Sequence, residues 1–243
     1  EAYYALLHVK DIYHNYRDVD QLINDAYNKG VNLVVFEVQN ASHNVVPKEF
    51  YQELYAQNFA DLESFWYKIV PNRENENRDF DYAIKVRIQQ VEIGPEQIKE
   101  RTFYEVKEVQ DDWEYVKDSK GNVMKDSLGN DMKVPKYKEI SCQVLETHQL
   151  KVADFKGSVV ISDLRQNRQL RNEPFAATAV FENWALIPSG NLDALSKATR
   201  ERLGGKIIPF PDDYRMLMDG SQQLKPVLKN IIRNNRDLLE RAV

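Results

Sequence analysis

The stretch DSKGNVMKDSLGND, from Asp118 to Asp131, has the residue types of a metal loop. The motif Asp-Ser-x-Gly-Asn occurs in it twice, eight residues apart. Carboxylate and amide oxygens are the ligands of Ca²⁺, so the candidates for a cation are Asp118, Asn122, Asp126 and Asn130. A helix–loop–helix calcium site needs oxygens at alternate positions and a bidentate Glu at the twelfth. Here Lys120 and Met124 stand at alternate positions, and the twelfth residue is Gly129.

The same motif also fits a pair of tight turns. An Asp starts such a turn by accepting hydrogen bonds from its own backbone, and a Gly takes the left-handed conformation that a hairpin requires. We therefore predict two successive turns between Asp118 and Asp131, at the tip of a hairpin, and no metal site.

Other residue types that could carry out chemistry are scattered. No pair at metal-ligand spacing is formed by His8, His14, His43, His148 and the single cysteine, Cys142. The sequence has no serine-nucleophile, phosphate-binding or dinucleotide-binding motif. These observations predict a protein without catalytic residues, metal ligands or cofactor, and not an enzyme. A carboxylate pair assembled in space, as in glycosidases, is the alternative.

Three further features have structural interpretations. Asp111–Asp112 is predicted to lie at a strand end, and Asp212–Asp213 at a helix N-terminus, where the helix dipole favours negative charge. Cys142 alternates in phase with Ile140 and Val144, so we predict a small core residue.

Length and composition describe a chain with a sizeable core. The sequence has 243 residues, 42% of them hydrophobic, and a formal charge of −5. The acidic balance argues against nucleic acid as a partner, since phosphate binding needs a basic face. No apolar run reaches the roughly 18 residues of a transmembrane helix.

Hydrophobic periodicity predicts an α+β fold, in which helices pack a mixed, largely antiparallel sheet. Residues 1–30 have the spacing of a helical hairpin, and residues 31–243 form the α+β domain. That domain begins with a strand, a helix opened by Pro47 that extends to Leu62, and a second strand. The strand of residues 82–93 changes parity at Gln89–Gln90, which predicts a β-bulge. Later elements are a β-arm at 101–150, a hairpin around DLRQNRQ, a helix over NLDALSKATRERL and a C-terminal helix.

The β-arm is long for a small core. Some fifteen extended residues reach on the order of 50 Å, so the arm either curls around the domain or projects in part from it. Aromatic residues and Met are enriched at interface cores. The candidate contacts with a protein partner are Trp113, Tyr115, Val116, Met124, Met132 and Tyr137. Alternatively, these residues pack on one another across the hairpin.

Three segments together resemble a known group of bacterial domains. VVFEVQNAS, the strand DYAIKVRIQ, and the hairpin SVVISDLRQNRQLRNEPFAATAVF are similar to the periplasmic domains of the CsgG, LpoB and TolB N-terminal group. Asp163 holds the position of that group's hairpin Asp, whereas Asn167 and Arg168 replace its usual Thr-Gly. Residues 1–30 are similar to the end of a tetratricopeptide-like helical array.

The resemblance implies a lipoprotein at the periplasmic face of the outer membrane, with its lipid anchor upstream of Glu1. It implies a scaffold or activator in a cell-envelope complex, acting by protein–protein contacts, because no matched position is catalytic. The alternative is a subunit of an oligomeric outer-membrane secretion or assembly machine.

Overall fold

The computed structural model describes residues 1–14, 16–71 and 79–240. The helices are α1 (Ala2–Ile12), α2 (Val19–Gly30), α3 (Lys48–Tyr55), α4 (Lys197–Glu201), α5 (Asp213–Asn234) and α6 (Arg236–Leu239), with a 3₁₀ turn at Leu192–Ala194. The strands are β1 (Asn32–Asn40), β2 (Tyr67–Pro71), β3 (Tyr82–Ile93), β4 (Gln97–Tyr115), β5 (Lys133–Asp163) and β6 (Arg168–Gly190). The predicted α+β class, with helices packed on a mixed sheet, is confirmed.

The sheet combines parallel and antiparallel pairs. In the described residues it has six strands in the order β2-β1-β3-β5-β4, and β6 also pairs with β5. β1 runs parallel to both β2 and β3. β5 is antiparallel to β3 through residues 153–163 and to β4 through residues 133–150. One strand therefore serves two different neighbours along its length.

The internal contacts divide the chain into two compact units. Unit 1 comprises Glu1–Gly94, Val152–Val180 and Pro211–Val243, and unit 2 comprises Pro95–Lys151 and Phe181–Phe210. Residues 1–30 belong to unit 1, because α2 buries Val19 and Ile23 and the Tyr3 ring lies 5.4 Å from that of Trp66. In this division residues 1–30 and 31–94 belong to the same unit.

The core of unit 1 lies between the sheet and helices α3 and α5. Phe50 of α3 and Phe155 of β5 are fully buried, with their rings stacked 5.9 Å apart. Gly220 brings α5 against the same ring, since a Cβ there would overlap Phe155. Asp212 caps α5 by accepting from the Arg215 amide at 2.8 Å, in agreement with the predicted helix N-terminus.

The bulge predicted in β3 is confirmed. The register with β5 shifts between Ile88 and Gln90. Ile88 and Val91 are both buried although they are three residues apart, and one extra residue lets both face the core.

Two predicted helices are shorter than the sequence suggested. α3 ends at Tyr55, although Phe59 and Leu62 are still buried beyond it. The segment NLDALSKATRERL divides into a 3₁₀ turn and α4, because the Ser196 side chain accepts from the Thr199 amide and starts a new helix.

Candidate protein-contact surface

The hairpin of β4 and β5 in unit 2 has one covered face. Phe103, Cys142 and Val144 lie on it, because antiparallel partners share a face: Phe103 pairs with Val144, and Cys142 alternates in phase with Val144. They pack with Ile140, Leu186, Ala194 and Leu195 in one cluster. Cys142 is 1% exposed, so its predicted core position is confirmed.

The opposite face of the hairpin presents apolar side chains to solvent. We call it the aromatic face; it comprises Tyr104, Val106, Trp113, Tyr115, Pro135 and Tyr137. The exposed fractions of Tyr104, Trp113 and Tyr137 are 66%, 53% and 58%. Of the six predicted contact residues, Trp113, Tyr115 and Tyr137 are brought together here.

A bulge in β4 makes this face continuous. The register shifts between Gln110 and Asp112, leaving Asp111 as an extra residue. Trp113 and Tyr115 therefore share the face of Val106 despite their odd spacing from it. The expectation that Asp111–Asp112 marks a strand end is wrong, because β4 continues to Tyr115.

In the outer part of the hairpin, where few side chains are buried, opposite charges face each other across the two strands. On the side opposite the aromatic face, Asp112 stands across from Lys136 in the strand register, and Lys138 Nζ forms an ion pair with Asp111. Opposite charges across two strands favour the register that joins them. The exception is Glu108, which stands directly opposite Glu139 and on the side of the aromatic face. In the described parts of the chain, no cation forms an ion pair with either carboxylate.

The doubled motif at the tip forms two small hairpins. The Asp118 carboxylate accepts from the amides of Lys120 and Asn122 at 2.8 and 2.9 Å. The second copy repeats this geometry at Asp126 with the same two distances. Gly121 and Gly129 both have φ of +87°, the left-handed conformation that a side chain disfavours. The predicted turn chemistry is confirmed in both copies.

The two small hairpins meet the long one at a three-way junction. The Val116 amide donates to the Met132 carbonyl at 2.9 Å, the Met132 amide to Met124 at 2.8 Å, and the Met124 amide to Val116 at 2.8 Å. These bonds form a closed ring of three equivalent residues. The eight-residue period follows, because each small hairpin must return to this ring. The side chains of Met124 and Met132 are 42% and 39% exposed.

The tip is expected to loosen at acid pH. The Asn122 backbone amide, the largest cause, lowers the pKa of Asp118, and the Asn130 amide does the same for Asp126. A carboxylate with a lowered folded-state pKa stabilises the fold above its unfolded pKa, and this stability is lost as pH falls through the folded pKa. We expect the hydrogen-exchange protection of the Asn122 and Asn130 amides, measured relative to the unfolded rate at the same pH, to fall over that interval.

The repeat supplies its own control for this prediction. The variant Asp118→Asn keeps an acceptor oxygen but removes the titrating group, so the acid-dependent loss of protection should disappear at Asn122 and persist at Asn130. If both amides exchange with the same pH dependence in this variant, the carboxylate does not hold the turn.

A cluster that the sequence did not reveal joins three distant charged residues in unit 2. Glu146, 2% exposed, accepts from Arg101 Nε and from Arg202 Nη2. The guanidinium of Arg202 also lies 5.3 Å from the ring centroid of Trp184, on which His148 stacks at 3.9 Å. This arrangement fixes the segment after α4 against the sheet of unit 2.

Shifted carboxylate pKa values all move in one direction among the described residues. The pKa is lowered for Glu53, Asp61, Glu105, Asp118, Asp126 and Glu146. A carboxyl that serves as general acid needs a raised pKa, so these groups are suited to structural hydrogen bonds. Within the described ranges, no group of three or more His, Cys, Asp or Glu residues is placed to hold a metal ion. No helix there is both long and apolar enough to cross a membrane.

Two comparisons with known proteins identify no relative. A scan against protein-family models finds no match, and a search of curated proteins finds no similar sequence.

Proposed function

We propose that the chain is a non-enzymatic scaffold or activator that contacts a protein partner through the outer part of the β4–β5 hairpin. The aromatic face carries this proposal. Exposed apolar patches rimmed by polar residues mark interaction sites in soluble proteins. Here Trp113, Tyr115 and Tyr137 lie on one face of the hairpin, and Met124 and Met132 at its tip.

The chain's rigidity at this surface also favours a contact role. The Lys138–Asp111 ion pair joins the two strands, Asp118 and Asp126 close the turns, and a ring of backbone bonds joins the three hairpins. A preorganised surface loses less conformational entropy on binding. These contacts order the outer part of the hairpin although no hydrophobic core among the described residues packs against it. A loop that only connected two strands would not need them.

We also propose, from the resemblance of VVFEVQNAS and the hairpin around Asp163, that unit 1 is related to the CsgG/LpoB-like domains. Under this proposal the protein is lipid-anchored at the periplasmic face of the outer membrane, and its partner belongs to a cell-envelope complex. Membrane fractionation of cells that make the full-length protein tests the location.

The contact is tested by capturing partners from native envelope extracts. The variant Trp113→Ser/Tyr137→Ser changes the aromatic face, and Glu114→Ser/Lys136→Ser changes the opposite side of the same part of the hairpin. Buried interface aromatics typically contribute about 2 kcal/mol each, or roughly thirtyfold in affinity. We expect the first variant to lose the partner and the second to retain it. Equal capture by the unchanged chain and both variants would show that the aromatic face is not the contact surface.

A further inference from the structure

We propose that the aromatic face binds the same face of a second copy of this chain, about a two-fold axis. The inference rests on the proposed contact role of this surface and not on its cellular location. It identifies a second copy of this chain as a binding partner of the surface.

The two ends of the aromatic face carry opposite charges. From the tip inward, the cross-strand pairs are Tyr115 with Lys133, Trp113 with Pro135, Gln110 with Tyr137, and Glu108 with Glu139. One cation therefore lies at the outer end, two carboxylates lie at the inner end, and the apolar rows lie between them. Six residue steps along β5, or about 20 Å, separate the two ends.

The cation is held over the face. Lys133 Nζ lies 4.8 Å from the ring centroid of Tyr115, so its charge stands beside the apolar rows. The carboxylates of Glu108 and Glu139 face each other across the two strands, an arrangement that is destabilising in an isolated sheet. A partner that brings a cation to this row removes that repulsion.

A second copy brings the cation to the required place. If two faces pack antiparallel, with the axis between the Pro135 and Tyr137 rows, Lys133 of each copy lies over Glu108 and Glu139 of the other. The apolar rows then cover each other. Such an interface is isologous, as in most homodimers, because each copy offers the same patch and satisfies the other.

The opposite side of the hairpin does not offer this complementarity. Near the tip Lys138 already forms an ion pair with Asp111, and Asp112 stands across from Lys136 in the strand register. Further inward it is covered by Ala194 and Leu195. The separated cation and paired carboxylates that two antiparallel copies match thus lie on the face that also exposes the aromatics.

The interface is expected to be weak. A strip two strands wide is on the order of 10 Å across. Each copy therefore contributes less than the roughly 800 Å² of a standard protein–protein interface. The complex should dissociate readily, and it should be seen as a concentration-dependent equilibrium.

Sedimentation equilibrium of the purified chain over a wide concentration range tests the proposal. We expect a reversible monomer–dimer equilibrium. Lys133→Glu makes every charge on the face negative, and Glu108→Lys/Glu139→Lys makes every charge positive. Each variant alone should dimerise more weakly than the unchanged chain, by about tenfold or more. An equimolar mixture of the two should form heterodimers, which no general loss of folding can produce.

Glu114→Lys, at a position opposite Val134 on the other side of the hairpin, is the matched charge-reversal control and should dimerise as the unchanged chain does. The proposal is overturned if the unchanged chain stays monomeric at all concentrations, or if the mixed variants form no heterodimer. A monomeric Lys133→Glu chain that still captures an envelope partner would leave the proposed contact function intact. Failure of the two proposals can therefore be distinguished.

Discussion

Gly220→Ala is expected to destabilise unit 1 by about 1–3 kcal/mol, the usual cost of overpacking a core. Gly220 is buried within α5, and a Cβ there would overlap Cε2 and Cζ of Phe155. That ring cannot move aside easily, because it is fully buried and stacked on Phe50. Helix propensity predicts the opposite sign, since Ala is favoured over Gly by about 1 kcal/mol in a helix interior.

The free energy of unfolding, measured by urea denaturation and by hydrogen exchange of the amides in β3 and α5, would show this effect. Gln223→Ala, at an exposed position of the same helix, is the control and should change stability little. Combining Gly220→Ala with Phe155→Leu makes room for the added methyl, so the double variant should lose less stability than the two single losses added together. An increase in stability with Gly220→Ala alone would show that α5 does not approach Phe155 this closely.

The sequence predicts the elements of unit 1 well because their buried residues repeat with the period of each element. Tyr82, Ile84, Val86 and Ile88 alternate in burial, and the break before Val91 reveals the bulge at Gln89–Gln90. In β4 the same kind of bulge leaves no such trace. Trp113 and Tyr115 lie on an exposed face, so burial does not constrain which residues share it.

At the tip of the hairpin, the sequence predicts the turns that neighbouring residues form. It does not predict the contacts that depend on long-range strand pairing. The turns at Asp118 and Asp126 are set by residues within four positions of each carboxylate, so their motif predicts them. The ring through Val116, Met124 and Met132 joins residues up to sixteen positions apart. It requires the ladder of β4 and β5, which brings Val116 and Met132 together and which no local pattern encodes.

The partners of Glu146 are also too distant in the sequence to be predicted, and its replacement is expected to have the second large effect on stability. Its partners Arg101 and Arg202 lie 45 and 56 positions away, so only the folded unit brings them together. Replacing Glu146 by Gln keeps its volume and removes its charge, and we expect a loss of about 1–3 kcal/mol. The side chains of Arg101 and Arg202 are 67% and 44% exposed. Water can therefore still hydrate them, which keeps the loss below that of a fully buried pair.

The pH dependence separates this ion cluster from simple packing. Hydrogen bonding by Arg101, the largest cause, lowers the pKa of Glu146. Its stabilisation is therefore present above the unfolded pKa and is lost as pH falls through the folded pKa. Unfolding should be followed by the fluorescence of Trp184, which Arg202 contacts, in a background with Trp66 and Trp113 replaced by Phe. The difference in unfolding free energy between this background and its Glu146→Gln variant should narrow as pH falls. A difference that stays constant with pH would mean that shape, and not charge, holds this segment in place.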